Sequence, residues 1–140
     1  MVLAEILIEM NNLKRKISQL RFYITKVSSH DGKSTDNAIS KLLGLLDKYR
    51  SHLILINRVN NETIVSIGES KLSLANAIII LKTIEDKINL LDRLIDNEEC
   101  VLDVLSLIEQ RDKLLEEYTA ISKEIKHQEW SIEIDKESMG

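Results

Sequence analysis

Apolar residues recur in three-four alternation along most of the chain, and polar runs divide them into four stretches. The first places Leu3, Ile6, Met10, Leu13, Ile17, Leu20, Ile24 and Val27 in an unbroken heptad seam, with Leu7 beside it. That spacing predicts a helix over residues 3–28. The second stretch reads Ile39, Leu42, Leu46, Tyr49, Leu53 and Ile56, which predicts a helix over 37–63. Leu43, Leu45, Ile54 and Leu55 make it apolar around much of its circumference, so it is expected to be central or shared with a partner. The third reads Leu74, Ala77, Leu81, Ile84, Ile88, Leu91 and Ile95, predicting a helix over 71–97. The fourth reads Val104, Leu107, Arg111, Leu114, Tyr118, Ile121, Ile125 and Gln128, predicting a helix over 101–130.

The links carry their own signals. Between the first two helices lies a polar run, Ser29 to Asp36, in which Gly32 suits a left-handed turn and Thr35 or Asp36 suits a helix cap. Ile64 to Ser70 is rich in β-branched residues and contains Gly68, so it reads as an extended connection, one short strand or hairpin arm. Ser70 or Ser73 is placed to cap the third helix. Asp96 to Glu99 breaks the third pattern, and the acids there favour the start of the fourth helix. Ser131 to Asp135 alternates and is read as a short strand, and Lys136 to Gly140 as a frayed end. Each predicted rod of about 26 residues is about 39 Å long. The expected fold is all-α: an elongated antiparallel four-helix bundle, or two coiled-coil hairpins packed together, with short β segments near 64–70 and at the C-terminus.

Composition narrows this further. The chain has 140 residues, which predicts a single helical domain over 1–140. With 0 Pro and 4 Gly it lacks the turn residues of a many-stranded sandwich or barrel. Aromatics at 4% argue against stacking platforms for single-stranded nucleic acid, so no nucleic-acid partner is expected. Gly44 falls inside the second helix, where close approach by a neighbouring helix is the expected reason. The apolar stripes exceed one seam, so self-association is expected, as a dimer, together with an unknown protein partner. Charge is uneven: residues 1–70 carry ten Lys/Arg and seven Asp/Glu, residues 71–140 nine and sixteen. The basic side is concentrated in Lys14, Arg15, Lys16, Arg21 and Lys26. It is read as docking on the acidic half, with an anion-binding or lipid-headgroup face as the alternative.

Candidate chemistry is sparse. Cys100 is the single cysteine, which fits a reducing compartment, and Glu98 and Glu99 oppose its ionisation. Glu5 and Glu9 interrupt any signal-peptide core, so a cytoplasmic location is expected. The longest charge-free apolar stretch, Leu72 to Leu81, is about half of a bilayer span. There is no Gly-rich phosphate loop, no Gly-x-Ser-x-Gly and no His-Glu-x-x-His. Glu124 and His127 form one Glu-x-x-His step where a di-metal bundle needs two, so no metal, no cofactor and no enzymatic activity are expected. Two polar features stand out. Arg111 occupies a seam position and calls for an acid on a neighbouring helix. Asn57, Arg58, Asn60 and Asn61 crowd the end of the second helix, as a terminating and capping run or as a polar interaction cluster.

Several stretches together resemble one family. Leu3-Ala4-Glu5-Ile6-Leu7, Leu13-Lys14-Arg15-Lys16-Ile17 through Leu20-Arg21, Ile56-Asn57-Arg58-Val59-Asn60-Asn61 and Ile125-Lys126-His127-Gln128-Glu129-Trp130 resemble the septicolysin-like family of small bacterial coiled-coil proteins. The chain departs from that pattern in the order of Arg15-Lys16, in Val59 and in Glu129. The resemblance implies a helical coiled-coil fold, and the family name implies a pore-forming cytolysin acting on membranes. In that reading the membrane-active stretch is Leu74, Ile78, Ile79, Ile80 and Leu81. The leading expectation is a non-enzymatic, self-associating helical interaction protein, with the cytolysin as the alternative.

Overall fold

The computed structural model describes residues 1–27, 32–97 and 101–134. Ser28 to Asp31, with His30 of the first link, lie outside the described residues, as do Glu98, Glu99, Cys100 and residues 135–140. The chain is all-α with one small sheet: α1 (Leu3–Val27), α2 (Gly32–Glu62), β1 (Ile64–Ile67), β2 (Ser70–Ser73), α3 (Leu74–Asp96) and α4 (Val104–Ser131). It divides into two compact units. The first comprises Met1–Arg58 with the residues from Glu129 onward, the second Val59–Gln128.

In the first unit α1 keeps the predicted seam. Leu3, Ile6, Leu13 and Ile17 are buried, Met10, Leu20 and Ile24 half-buried. Full burial of side chains such as Leu3 and Ile6 stabilises by about 1.5–3 kcal/mol each. α1 and α2 run antiparallel, since Glu9 near the start of α1 meets His52 late in α2. The seam of α2 differs from the expected one. Thr35, Ala38, His52 and Ile56 are buried and Leu42, Leu45 and Tyr49 half-buried, again in three-four alternation. Ile39 and Leu53, expected in the seam, are exposed instead. The helix is apolar on several sides, so its hydrophobic pattern has no unique phase. The polar Thr35 and His52 fill two seam positions that a search for apolar residues passes over.

α2 also starts earlier than expected, at Gly32, so Gly32 is helical and Thr35 and Asp36 lie within the helix rather than capping it. Polar residues are tolerated in a first turn because its N–H groups lack intrahelical partners anyway. The C-terminal segment closes this unit. Leu3 N–H donates to the Ile132 carbonyl at 3.1 Å and Ile134 N–H to the Met1 carbonyl at 2.9 Å. Val2 and Glu133 form one antiparallel bridge, and Ile134 is buried. Among the described residues, the alternation of 131–134 thus yields one bridge with the N-terminal residues.

In the second unit β1 and β2 form an antiparallel hairpin in which Val65 pairs with Leu72 and Ile67 with Ser70. Its turn is Gly68-Glu69, with Gly68 at φ 61 and no non-glycine residue at positive φ among the described residues. A positive φ at the first turn position alone is the type II′ pattern, which glycine supplies without strain. Lys71 and Leu72 therefore lie in β2, not in the third helix as expected. The ladder ends where Leu74 N–H donates to the Thr63 carbonyl at 2.8 Å. Ser73 caps α3, its hydroxyl accepting from Asn76 N–H at 3.1 Å. Asp103 caps α4 by accepting from Leu105 N–H at 3.1 Å and Ser106 N–H at 3.4 Å, so α4 begins after Asp103 and not at Val101. Val65, Leu74 and Ala77 are fully buried, joined by Ile84 and Ile88 of α3 and Leu107, Ile121 and Ile125 of α4. Both helices keep their predicted seams.

Candidate functional site

Polar groups that enter an apolar seam need partners, and each unit has a titratable one on which two helices meet. In the second unit it is Arg111. One terminal nitrogen of its guanidinium lies 3.2 Å from Asp92 Oδ1 on α3, the other 3.4 Å from Asp112 Oδ1 on its own helix. Asp92 is the cross-helix acid that the seam position calls for, and it fixes α3 and α4 as antiparallel neighbours. The inner Nε of Arg111 is buried without a partner among the described residues. The hydrogen bond to Asp92 raises the arginine pKa above its ordinary value, against the opposing effect of burial, with Asp112 adding to the rise. A raised pKa in a cation stabilises the fold at every pH below the ordinary value and fades only in strong alkali, so the guanidinium stays charged throughout the neutral range.

In the first unit it is His52. Its Nδ1 donates to the Lys48 carbonyl, one turn back, at 2.9 Å, and its Nε2 lies 3.3 Å from Glu9 Oε2 on α1. The ring is 5% exposed, which makes it the most deeply buried titratable side chain in this unit's seam. A carbonyl only accepts, so Nδ1 carries the hydrogen that reaches Lys48. Sequence reasoning missed this pair. The available signal was spacing: His52 follows Leu45 by seven and Tyr49 by three, a seam position.

The other expected residues do not converge. Asn57, Arg58, Asn60 and Asn61 all lie in the last two turns of α2, which ends at Glu62. Asn57 and Arg58 belong to the first unit, Asn60 and Asn61 to the second. Asn57, Arg58 and Asn61 are exposed and Asn60 half-buried. Leu74, Ile78, Ile79, Ile80 and Leu81 are spread around α3: Leu74 is buried, Ile79 exposed, the others half-buried. No helix among the described residues is long and apolar enough to cross a membrane. Glu124 is half-buried and His127 exposed, and no group of three metal-ligating side chains occurs among the described residues.

No protein-family model and no curated protein matches the chain. One solved structure is similar over nearly its whole length: a functionally unknown conserved protein from Corynebacterium diphtheriae, 21% identical, covering 96% of this chain and 99% of that one. The TM-score of 0.84 establishes the shared fold, four helices with a small hairpin, and at this identity the likeness is one of fold alone.

Proposed function

We propose that this chain is a non-enzymatic helical interaction protein that associates with a second copy of itself. The observation that supports it is a second apolar stripe on α2. Ile39, Leu43, Leu53 and Ile54 are between 39% and 64% exposed, outside the seam that holds α1. Single exposed apolar residues are ordinary, but four on one side of one helix form a surface that gains by being covered. A helix face with repeating apolar anchors meets its own copy about a two-fold axis, which makes a dimer the natural outcome. The septicolysin-like resemblance agrees with a coiled-coil assembly and adds a cytolysin as the competing activity.

Light scattering at micromolar concentration tests the proposal. A dimer is expected for the parent chain. Because Leu43 and Leu53 are exposed in the free chain, Leu43→Glu with Leu53→Glu is expected to give a folded monomer. A parent protein that is monomeric across the range, or a variant that dimerises as tightly, refutes it. Dye release from liposomes by the parent chain favours the cytolysin instead.

A further inference from the structure

One edge of the α1–α2 hairpin carries charges that the free protein does not balance. On α1, Asn12, Lys16, Gln19 and Tyr23 lie at spacings of four, three and four, and on α2 Lys41, Leu45 and Lys48 at four and three, so each set occupies one helix face. Between these faces runs a groove. A hollow of about 360 Å³ is lined by Lys16, Gln19, Leu20, Tyr23, Lys41 and Leu45. A second, of about 180 Å³, is lined by Glu9, Asn12, Leu13, Lys16 and Lys48, so Lys16 is common to both. Lys16, Lys41 and Lys48 pair with no carboxylate among the described residues. The single acid of the groove, Glu9, already faces His52 at 3.3 Å. Flanking positions of helix pairs ordinarily carry opposite charges, whereas here lysines face lysine across the hairpin. Of the other cations of α1, Arg15 donates to Asn12 at 2.8 Å, and the Lys26 ammonium lies 4.6 Å from the centre of the Phe22 ring.

We infer that this groove binds a phosphate monoester attached to a small apolar body. The two ammonium groups of the larger hollow, Lys16 and Lys41, call for a doubly charged anion, which a phosphate monoester supplies and a single carboxylate does not. Leu20 and Leu45 form an apolar floor, the Tyr23 ring a wall, and the Gln19 amide and Tyr23 hydroxyl the neutral donors. The larger hollow lies within the size range of small-molecule sites. Binding relieves the lysine repulsion that the free hairpin carries.

The test is an amide NMR titration of the full chain with phenyl phosphate and, separately, inorganic phosphate, beside sedimentation with phosphatidylcholine vesicles with and without phosphatidic acid. Saturable shifts at residues 16–23 and 41–48, stronger with phenyl phosphate than with inorganic phosphate, are expected. Lys16→Gln and Lys41→Gln are each expected to weaken binding by about threefold to fivefold, the effect of one exposed ion pair. In phosphate-free buffer both variants keep or raise the parent Tm. Binding to phenyl phosphate without vesicle binding assigns the phosphate to a free small molecule. Vesicle binding that needs phosphatidic acid, without a phenyl phosphate response, assigns it to a lipid headgroup, and both outcomes support the site. The inference is overturned by no response to either probe, by unweakened binding in the double variant, or by a lower variant Tm.

Discussion

His52 is the residue on which the first unit's helix pairing turns. Its ring fills a seam position and both of its nitrogens are engaged, one on its own helix and one on α1. Removing the ring therefore removes packing and a cross-helix contact together. His52→Ala is expected to destabilise by about 2–4 kcal/mol, as for other large-to-small changes in a core. Glu9→Gln keeps the shape and weakens only the charge. Because Glu9 is 43% exposed and screened by water, its loss is expected to cost less than about 1 kcal/mol. Urea denaturation of the two variants makes the comparison. A Glu9→Gln effect as large as that of His52→Ala would mean that the ion pair, not the packing, holds the two helices in register.

At the scale of elements, legibility depended on how many faces of a helix are apolar. α1, α3 and α4 each show one dominant stripe, and their seams follow from spacing alone. α2 has more apolar residues than one seam requires, and the choice among stripes is made by α1, a tertiary cause that no local pattern contains. Arg111 was readable because a charge stands out in an apolar row, whereas His52 follows the same rule but stands in a row drawn through the wrong residues. The hairpin was half legible. β1 and Gly68 carry strand and turn signals, but Ser70 to Ser73 has too few apolar positions to show a period. Gly44 and Gly68 separate cleanly. Gly44 was expected to admit a neighbouring helix, but a Cβ there meets nothing within 4 Å, so its glycine answers no packing need. Gly44→Ala is expected to stabilise by about 0.5–1 kcal/mol through helix propensity. Gly68 has equally open space but a φ of +61, so Gly68→Ala is expected to cost about 1–2 kcal/mol from backbone strain alone. Thermal unfolding of both variants checks the contrast, and equal signs would refute the conformational account.

At the scale of the whole molecule, the first unit is assembled from the two ends of the described chain, with the second unit lying between them in sequence. Leu3 and Ile134 are both buried there, and two backbone hydrogen bonds join residues 1–3 to 132–134. Contacts of such long sequence separation carry a large loop-closure cost and form late unless something else holds the ends together. Their stability therefore rests on a few side chains, and Ile134 is the deepest of them on the C-terminal side. Ile134→Ala is expected to cost about 2–4 kcal/mol in the first unit. The change should release the Leu3 and Ile134 amides to hydrogen exchange while leaving the amides around Ile84 and Ile121 protected as before, since local opening follows cooperative units rather than the whole chain. If Ile134→Ala instead speeds exchange equally around Leu3, Ile84 and Ile121, the two units open together, and the clasp of the chain ends sustains the entire fold.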